Sequence, residues 1–521
     1  MQSVENVMTA MRGENGQRAD VEALARQLGD AAGLEVYPRS LTWSADALFF
    51  LGRRGTEKLL GVVAEALPEG FEGAQHALSA GEQAWTLLLG PTSHANAAAL
   101  RTALPWTAPR VLGLQPSAGC GDRLGLATPG HLRSARKHGL APILAQQSIR
   151  EMTRTERTPE QVMDAATWGV FEEGWRDGFG ADADHLKTFE DVDRCVAAGF
   201  TFFTIDPSAY VDNDADDDDL ATLEAKVAAL PFDVLTTTPE GLRSRYAGRE
   251  FAAGAVRVRF DAETLLRAAA KYGGAVAHTA RMYRHLRERM GEQPFELEMS
   301  VDETETPTSV AEHYFVAAEL RRLGVAWVSL APRFVGRMEK GVDYIGDLER
   351  FEETLAEHVA IARTLGPYKL SLHSGSDKFS IYPLFARHAR ELFHLKTAGT
   401  SYLEALRAVA RIDPALFREI LDFSSGRYEQ DKATYHVSAD VGKVPAAADL
   451  EDAELPGLLD QFDARQVLHV TFGSVLTTRR DDGGTRFRDR LVAALEQDEE
   501  THYDALEAHF DRHLAPFDAI G

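Results

Sequence analysis

Short apolar runs alternate with amphipathic segments along most of the chain, and this alternation predicts the fold. Each run is long enough for one buried strand, and each amphipathic segment has the period of a helix. Strands are predicted at 142–147, 200–205, 295–301, 325–330, 368–373 and 392–397. Further candidates lie at Val256–Phe260, 435–438 and 466–472. Strands that alternate with helices form a mainly parallel sheet, and eight of them close a barrel. The expected fold class is therefore α/β, with a TIM-like (β/α)8 barrel.

Helix boundary signals support this alternation. Thr158-Pro159 followed by Gln161 combines an N-cap, a proline at the first helical position and a capping box. The segment 347–365 carries one apolar stripe at helical spacing and ends before Gly366-Pro367.

The pattern divides the chain into three parts. Residues 1–135 are expected to form an N-terminal α/β accessory domain, and residues 136–475 the barrel domain. The stretch 207–255 is too long for an ordinary connection and is interpreted as an insertion over the barrel mouth. Residues 476–521 are expected to be C-terminal helices.

Composition narrows the class of protein. The chain has 521 residues and a formal net charge of −24, so binding of nucleic acid through a broad basic face is excluded. An aspartate-rich run at 212–219 contributes to this charge. It is interpreted as a solvated loop, because its spacing does not match the alternative, an EF-hand calcium loop.

Cysteine usage and the lack of targeting or membrane-spanning signals indicate the compartment in which the chain works. The chain contains two cysteines, which suggests neither a disulfide framework nor a cysteine-based zinc site. No signal peptide and no apolar stretch of membrane-spanning length are visible. We therefore expect a cytoplasmic protein without a membrane partner. A homo-oligomer is compatible with the sequence, which does not fix the number of subunits.

Several predicted strands place polar side chains on a buried face. Alternation puts the polar residues of each of four strands on one face of that strand. These sets are Glu296, Glu298, Ser300 and Asp302; Lys369, Ser371 and His373; His394 and Lys396; and Thr204 and Asp206. A satisfied ion-pair layer inside the barrel would account for one such strand. Four of them favour an active site at the carboxyl ends of the strands.

The residue types at these strand ends are those of a divalent-metal site. His373 follows its strand directly and precedes a Gly/Ser turn. With Glu298 and either His436 or His469, it would provide a mixed histidine and carboxylate set, which suits Zn, Mn, Co, Ni or Fe better than Mg or Ca. His394, between Phe393 and Leu395, is interpreted as a core histidine. No dinucleotide fingerprint, P-loop or nucleophile elbow is present.

Five segments carry a family resemblance; they are 121–131, 146–151, 182–188, 369–383 and 396–401. These motifs resemble the tagaturonate epimerase family, whose members interconvert D-tagaturonate and D-fructuronate and require a divalent metal. The resemblance covers roughly residues 110–475, and 369–383 is its most specific motif. It implies a small sugar acid as the substrate. Within the motifs, the residues expected to bind it are Gln147, Asp184, His185, Asp377 and Thr397.

The two ketoses differ only at C4, whose proton is not adjacent to the ketone at C2. Direct deprotonation is therefore excluded, and no nicotinamide site is visible for a transient oxidation. A retro-aldol step that breaks the C3–C4 bond is the expected route. Asp206 and Asp302 are the candidate acid and base, and Lys378 or Lys396 could stabilise the oxyanion. Arg123 is expected to bind the substrate carboxylate.

Two alternatives remain at this point. One is a metal-dependent aldolase or isomerase that acts on another sugar acid or ketose. The other is a non-catalytic sugar-binding protein, against which the inward Glu298, Asp302 and His373 argue.

Overall fold

A closed barrel of eight parallel strands forms the centre of the molecule. The computed structural model describes residue 7 and residues 20–80 and 83–520. The barrel strands are β1 Ser117–Gly119, β2 Ala141–Ser148, β3 Gly180–Leu186, β4 Phe202–Ile205, β5 Glu296–Ser300, β6 Ser329–Ala331, β7 Lys369–Leu372 and β8 Phe393–Lys396. Each strand pairs with its neighbour in sequence, and β8 pairs with β1. The predicted (β/α)8 barrel is confirmed.

The first strand lies earlier in the chain than expected. β1 consists of Ser117, Ala118 and Gly119, three small residues without an apolar run. It precedes residue 136, where the sequence pattern began the barrel. Its pairing with β8 and β2, rather than its own hydrophobicity, makes it a strand.

Three further strand candidates are outside the barrel. Val256–Phe260 pairs only with Arg249–Ala253, in an antiparallel hairpin. Residues 435–438 form no strand, and 466–472 span the end of the helix Phe462–Val470, the turn at Thr471 and the start of the helix Phe472–Thr477. A short apolar run does not by itself distinguish a strand from a buried helix, and here helix packing decided.

Helices surround the barrel in the order of the strands. They are Thr128–His138, Ile149–Thr155, Pro159–Glu172, Phe189–Ala197, Ala262–Met290, Val310–Arg322, Leu348–Leu365, Tyr382–His388 and Thr400–Ile412. The capping box at Thr158 and Gln161 is present. None of the described helices combines the length and the apolar composition needed to cross a membrane.

The insertion after β4 packs mainly on the outer helices, and its residues Asn213 and Asp216 contact Glu305 and Thr306 of the loop after β5. It contains the helices Leu220–Ala228 and Pro239–Tyr246 and then the hairpin. The Phe251 ring lies 4.9 Å from the Tyr314 ring, and Tyr246 Oη donates to Glu319 Oε1 at 2.8 Å. Both partners belong to the helix Val310–Arg322, so the hairpin covers the side of the barrel.

The N-terminal part contains a six-stranded antiparallel sheet and helices beside it. Its strands are Glu35–Val36, Thr42–Ser44, Ala47–Arg54, Glu57–Ala64, Ala74–Ala80 and Gln83–Pro91, and its helices include Val21–Ala32 and His94–Ala103. Phe49 and Leu88 pack with Trp168 and Phe171 of the barrel helix Pro159–Glu172. This sheet thus lies against the outside of the barrel.

The C-terminal part is helical, and its helices begin before residue 476, where the sequence pattern placed their start. Its helices are Pro414–Asp431, Phe462–Val470, Phe472–Thr477, Arg488–Gln497 and Glu499–Leu514. The last of these packs against Thr128–His138 and Thr400–Ile412, the helices that follow β1 and β8. Its histidines therefore come close to the loops at the carboxyl ends of the strands.

Candidate active site

A cavity of about 200 Å³ opens at the carboxyl ends of the barrel strands. Its lining combines strand-end side chains with residues from the loops after β5, β6 and β7 and from the segment near residue 435. The polar side chains that line it are Arg150, Asp184, His185, Asp302, Glu303, Arg333, Arg337, Glu339, Lys340, His373, Ser374, Lys396, Tyr435 and His436.

Lys396 is the centre of a buried ion-pair network below the cavity. Its Nζ lies 2.8 Å from Asp182 Oδ2, 2.7 Å from Asp184 Oδ1 and 3.0 Å from Glu298 Oε1. It also donates to Thr204 Oγ1 at 2.6 Å. Burial disfavours the ammonium, but these three carboxylates raise the pKa of Lys396 well above its usual value. Three N–H groups face four acceptors, so no N–H remains for a substrate.

His373 lies between two carboxylates at the end of β7. Its Nε2 is 2.6 Å from Glu298 Oε1, and its Nδ1 is 3.3 Å from Asp302 Oδ1. Burial alone would lower the pKa of His373, but Asp302 and Glu298 raise it. Ser300 Oγ donates to Asp302 Oδ1 at 2.5 Å. Burial would raise the pKa of Asp302, yet His373 lowers it far below its ordinary value, so Asp302 faces the cavity as a carboxylate.

His185 is presented to the cavity by an unusual backbone conformation. Its φ of 54° belongs to the left-handed region, which a residue with a Cβ adopts at a cost. Its Nδ1 contacts Asp206 Oδ2 at 3.1 Å, and its Nε2 lies 3.8 Å from Asp184 Oδ1. Burial lowers the pKa of His185, but the two carboxylates raise it to about 10.

The residues at the mouth fit a divalent metal. Asp184, His185 and His373 each offer a ligand atom, and these atoms lie within 4.8 Å of one another. Glu298 Oε2 is buried and has no hydrogen-bond partner among the described residues. The contact of His185 Nδ1 with Asp206 leaves Nε2 free, as is usual for a metal-ligating histidine. Two imidazoles with two carboxylates suit a transition metal.

Most of the acidic and metal-binding candidates come together here. Asp184, His185, Asp302, His373, Lys396 and His436 line the cavity. Glu298 contacts His373 from below, and Asp206 contacts His185 from behind. His436 approaches from an irregular segment rather than from a strand, and it is exposed. The barrel thus brings together side chains from five strands that are far apart in sequence.

Arg123 and His469 lie elsewhere, outside the lining of the cavity. Arg123 is buried, and its Nε and Nη2 bind Glu151 Oε1 at 3.0 and 2.8 Å. Its guanidinium stacks on Phe472 at 3.5 Å. His469 Nε2 lies 3.4 Å from Arg123 Nη2, on a helix rather than on a strand. A substrate carboxylate would have to compete with Glu151, so this structure does not place Arg123 as its binding residue.

Asp377 and Lys378 connect loops rather than line the cavity. Lys378 Nζ is buried and donates to the carbonyl oxygens of Glu339 at 2.8 Å and Ser376 at 2.9 Å. Asp377 Oδ2 accepts from Arg465 Nη2 at 2.8 Å, and the Asp377 N–H donates to His513 Nε2 at 2.9 Å. Both residues thus hold the loop that follows His373.

Gln147 and Thr397 also point away from the cavity. Gln147 Oε1 accepts from Arg157 Nη1 at 3.3 Å, and Thr397 Oγ1 donates to the carbonyl oxygen of Gly119 at 2.6 Å. The neighbour Gln146 instead donates to Asp184 Oδ2 at 3.2 Å. Successive residues of a strand face opposite sides, so Gln146 rather than Gln147 points toward Asp184.

Sequence reasoning missed several residues of the site. Asp182 alternates with Asp184 on β3, and that period of two could have revealed it. Arg150, Arg333 and Lys340 lie in loops or at a helix start, where no periodic pattern exists. Only the folded barrel brings them to the cavity.

Comparison with known proteins agrees with this architecture. The model of the UxaE family, described as tagaturonate epimerase, matches residues 37–517. A curated tagaturonate/fructuronate epimerase from Thermotoga maritima is 44% identical over 482 residues, which are 92% of this chain and 96% of the relative. The predicted family resemblance is confirmed, and it extends further toward both ends than the motifs indicated.

Solved structures give the same result. A glycerol complex of the fructuronate-tagaturonate epimerase UxaE from Cohnella laeviribosi is 38% identical, with a TM-score of 0.87, and the match covers 96% of this chain and 99% of that one. The native crystal structure of the same protein has a TM-score of 0.87 and 38% identity, covering 95% of this chain and 99% of that one.

Proposed function

The chain belongs to the tagaturonate epimerase family, and from this premise we propose that it interconverts D-tagaturonate and D-fructuronate at C4 in the barrel cavity. One observation carries the site assignment. A carboxylate, Asp302, faces the cavity directly beside a cluster of histidines and carboxylates that suits a metal. Acid–base and Lewis-acid groups therefore lie within reach of one small ligand.

We propose that the site takes a divalent transition metal. Asp184, His185 and His373 would bind it, with Glu298 as a further carboxylate on the His373 side. Asp206 would orient His185. When bound, such an ion would supply Lewis-acid polarisation of the ketone at C2. This ligand set keeps His373 and Glu298 from the set predicted by the sequence. It does not include His469, which lies away from the cavity.

The chain's own residues account for the proton transfers. In the proposed retro-aldol step, Asp302 accepts the proton of the C4 hydroxyl. The C3–C4 bond breaks, its electron pair remains on C3 in conjugation with the ketone, and C4 becomes an aldehyde. After the aldehyde rotates, C3 attacks its opposite face, and the C4 oxygen regains a proton. No hydrogen leaves C4 at any stage.

A second proton-transfer group must serve the other face of the aldehyde. We propose His436, which lines the cavity from the C-terminal segment, whereas Asp302 follows β5. A neutral imidazole can both accept and donate a proton. Lys396 has a supporting role here, because it neutralises Asp182, Asp184 and Glu298 without a free N–H of its own.

Isotope experiments test this proposal. The purified protein, loaded in turn with Zn, Mn, Co, Ni or Fe, is incubated with fructuronate, and the product is identified by nuclear magnetic resonance. Tagaturonate should form and should contain no solvent deuterium at C4 when the reaction runs in deuterium oxide. Carbon-13 at C3 and C4 should give a primary kinetic isotope effect if bond cleavage limits the rate.

Matched variants complete the test. Asp302→Asn should lose most turnover, whereas Asp193→Asn, on an outer helix, should retain it. Solvent deuterium at C4 would contradict the retro-aldol route. A large primary effect of deuterium at C4 would indicate a transient oxidation instead. Three-carbon fragments without tagaturonate would indicate an aldolase.

We further propose that the chain acts in the cytoplasm on a freely diffusing sugar acid. Cys120 and Cys195 are both buried and unpaired, which suits a reducing compartment. Detection of the native protein in a soluble cytoplasmic fraction would support this location, and detection in an exported fraction would contradict it.

A further inference from the structure

The basic side chains that line the cavity differ in whether an acidic group already neutralises them. Arg150 pairs with Glu303 at 3.3 Å, and Arg337 pairs with Glu339 at 3.5 Å. Lys340 forms no ion pair with any residue in the described part of the chain. Its Nζ donates instead to the neutral Ser374 Oγ at 2.7 Å. A half-buried ammonium beside a cavity, in a chain of net charge −24, thus lacks a counter-ion.

The backbone around Lys340 is fixed on both sides. Lys378 Nζ donates to the carbonyl oxygens of Glu339 and Val342 at 2.8 and 2.5 Å. Arg465 Nε donates to the carbonyl oxygen of Gly341 at 2.7 Å. These hydrogen bonds order the loop before a ligand binds, so binding does not have to overcome the entropy of ordering it. Arg333 also lines the cavity without an ion pair among the described residues, but its Nη1 donates to the carbonyl oxygen of Asp302 at 3.3 Å. Preorganisation around an unpaired ammonium is typical of a binding site.

Lys340 also lies next to the proposed reaction centre. Its partner Ser374 directly follows His373 in the chain, and all three residues line the cavity. Arg150 lines the same cavity. Burial and the nearby Arg150 lower the pKa of Lys340, while the carboxylates of Asp302, Glu151 and Glu303 raise it from beyond ion-pair distance. An anion bound directly at the ammonium would therefore supply the close partner that Lys340 lacks.

We infer that Lys340, with Arg150 beside it, is the subsite that binds the carboxylate of the sugar acid and thereby selects uronates over neutral ketoses. This inference rests on the proposed function and replaces Arg123 in that role. The carboxylate at one end of the substrate would contact Lys340, while the C3–C4 bond would lie toward Asp302 and His373. Ser374 would orient the ammonium.

Kinetics with two substrates test the inference. Fructuronate and fructose differ in the carboxylate but share the ketose that reacts. Lys340→Gln should raise KM for fructuronate roughly 10- to 100-fold, the loss expected for one charge-assisted hydrogen bond. Turnover of fructose, which should be poor, should change little. Lys340→Arg should restore part of the uronate affinity, and the surface control Lys226→Gln should behave as wild type. Equal losses for both substrates would overturn the assignment.

A binding measurement separates this inference from the proposed reaction. Calorimetric titration of the metal-loaded protein compares D-gluconate with sorbitol, which lacks the carboxylate. Wild type should bind gluconate more tightly, and Lys340→Gln should abolish the difference. If the protein prefers gluconate over sorbitol through Lys340 but produces no tagaturonate, the epimerase proposal is wrong and the carboxylate subsite still stands. Absence of a preference for gluconate in the wild type would overturn the subsite.

Discussion

At the scale of single residues, the charged groups at the barrel mouth contact one another and do not act independently. His373 contacts Glu298 and Asp302, and Lys396 contacts Asp182, Asp184 and Glu298. Isolated buried charges would be costly, and both His373 and Lys396 are matched to carboxylates. A metal ion bound at His373 would add positive charge among these carboxylates.

His373→Ala is expected to lose the metal and nearly all turnover while the protein stays folded. The side chain supplies one of the three clustered ligand atoms, and its removal takes the imidazole partner from Asp302. Elemental analysis after dialysis measures the metal, and circular dichroism checks the fold.

The control for this change is His285→Ala, on an outer helix beside Asp193. It should keep both metal and activity. Full metal occupancy in folded His373→Ala would contradict the assignment of His373 as a ligand.

At the scale of elements, the loops after β6 and β7 are joined into one unit. Lys378 of the β7 loop donates to the carbonyl oxygens of the β6 loop, and Asp377 binds Arg465, which also binds Gly341. The helix Glu499–Leu514 contributes His513 to the Asp377 N–H. The C-terminal helices thus position the loop that bears His373, although they contribute no group to the cavity lining.

Lys378→Met is expected to loosen the Lys340 loop. The substitution preserves the apolar stem but leaves the carbonyl oxygens of Glu339, Val342 and Ser376 without this donor, at a cost of about 1–3 kcal/mol of stability. Hydrogen exchange at residues 339–342 should increase, and KM for fructuronate should rise more than kcat falls.

Lys369→Met provides the matched control. Burial lowers the pKa of both lysines to about 8, but Lys369 contacts Ser117 at the opposite end of the barrel. Its replacement should reduce stability without changing exchange at 339–342. A large loss of kcat in Lys378→Met with unchanged exchange would restore Lys378 as a catalytic group.

At the scale of the whole molecule, the fold buries many neutral histidines. Burial lowers the pKa of six of them well below the value of about 6.5 in the unfolded chain. These values are about 4 for His131, His358 and His502, and about 3 for His394, His509 and His513. Between pH 6.5 and 4 the unfolded chain therefore binds more protons than the native one.

Stability is expected to fall as the pH falls through this window. Each histidine whose pKa is lowered stabilises the native state fully above pH 6.5. Below that pH, the free energy of unfolding falls by about 1.4 kcal/mol per pH unit for each proton that only the unfolded chain binds. Denaturant unfolding from pH 7.5 to 5 measures the slope. His131→Gln should reduce proton uptake on unfolding by about one. A flat profile would contradict this account.

Much of the fold and part of the site follow from local sequence. Period-two alternation on β5 and β7 correctly places Glu298, Asp302 and His373 together, because strand geometry alone decides which side chains share a face. Parallel strands end at one edge, so these groups meet there. The motif 369–383 and its companions identify the family, which the comparisons confirm.

Other features were decided only by the tertiary structure. Ser117–Gly119 is a strand because its neighbours complete the barrel, and residues 466–472 are helical because of how they pack. Arg123 is occupied by Glu151, and Lys340 faces the cavity without a counter-ion. Whether a charged side chain is paired depends on residues far away in sequence, and local periodicity carries no information about such distant contacts. The sequence by itself therefore determined the barrel and its reactive edge, while the tertiary structure decided which charges remain free for a ligand.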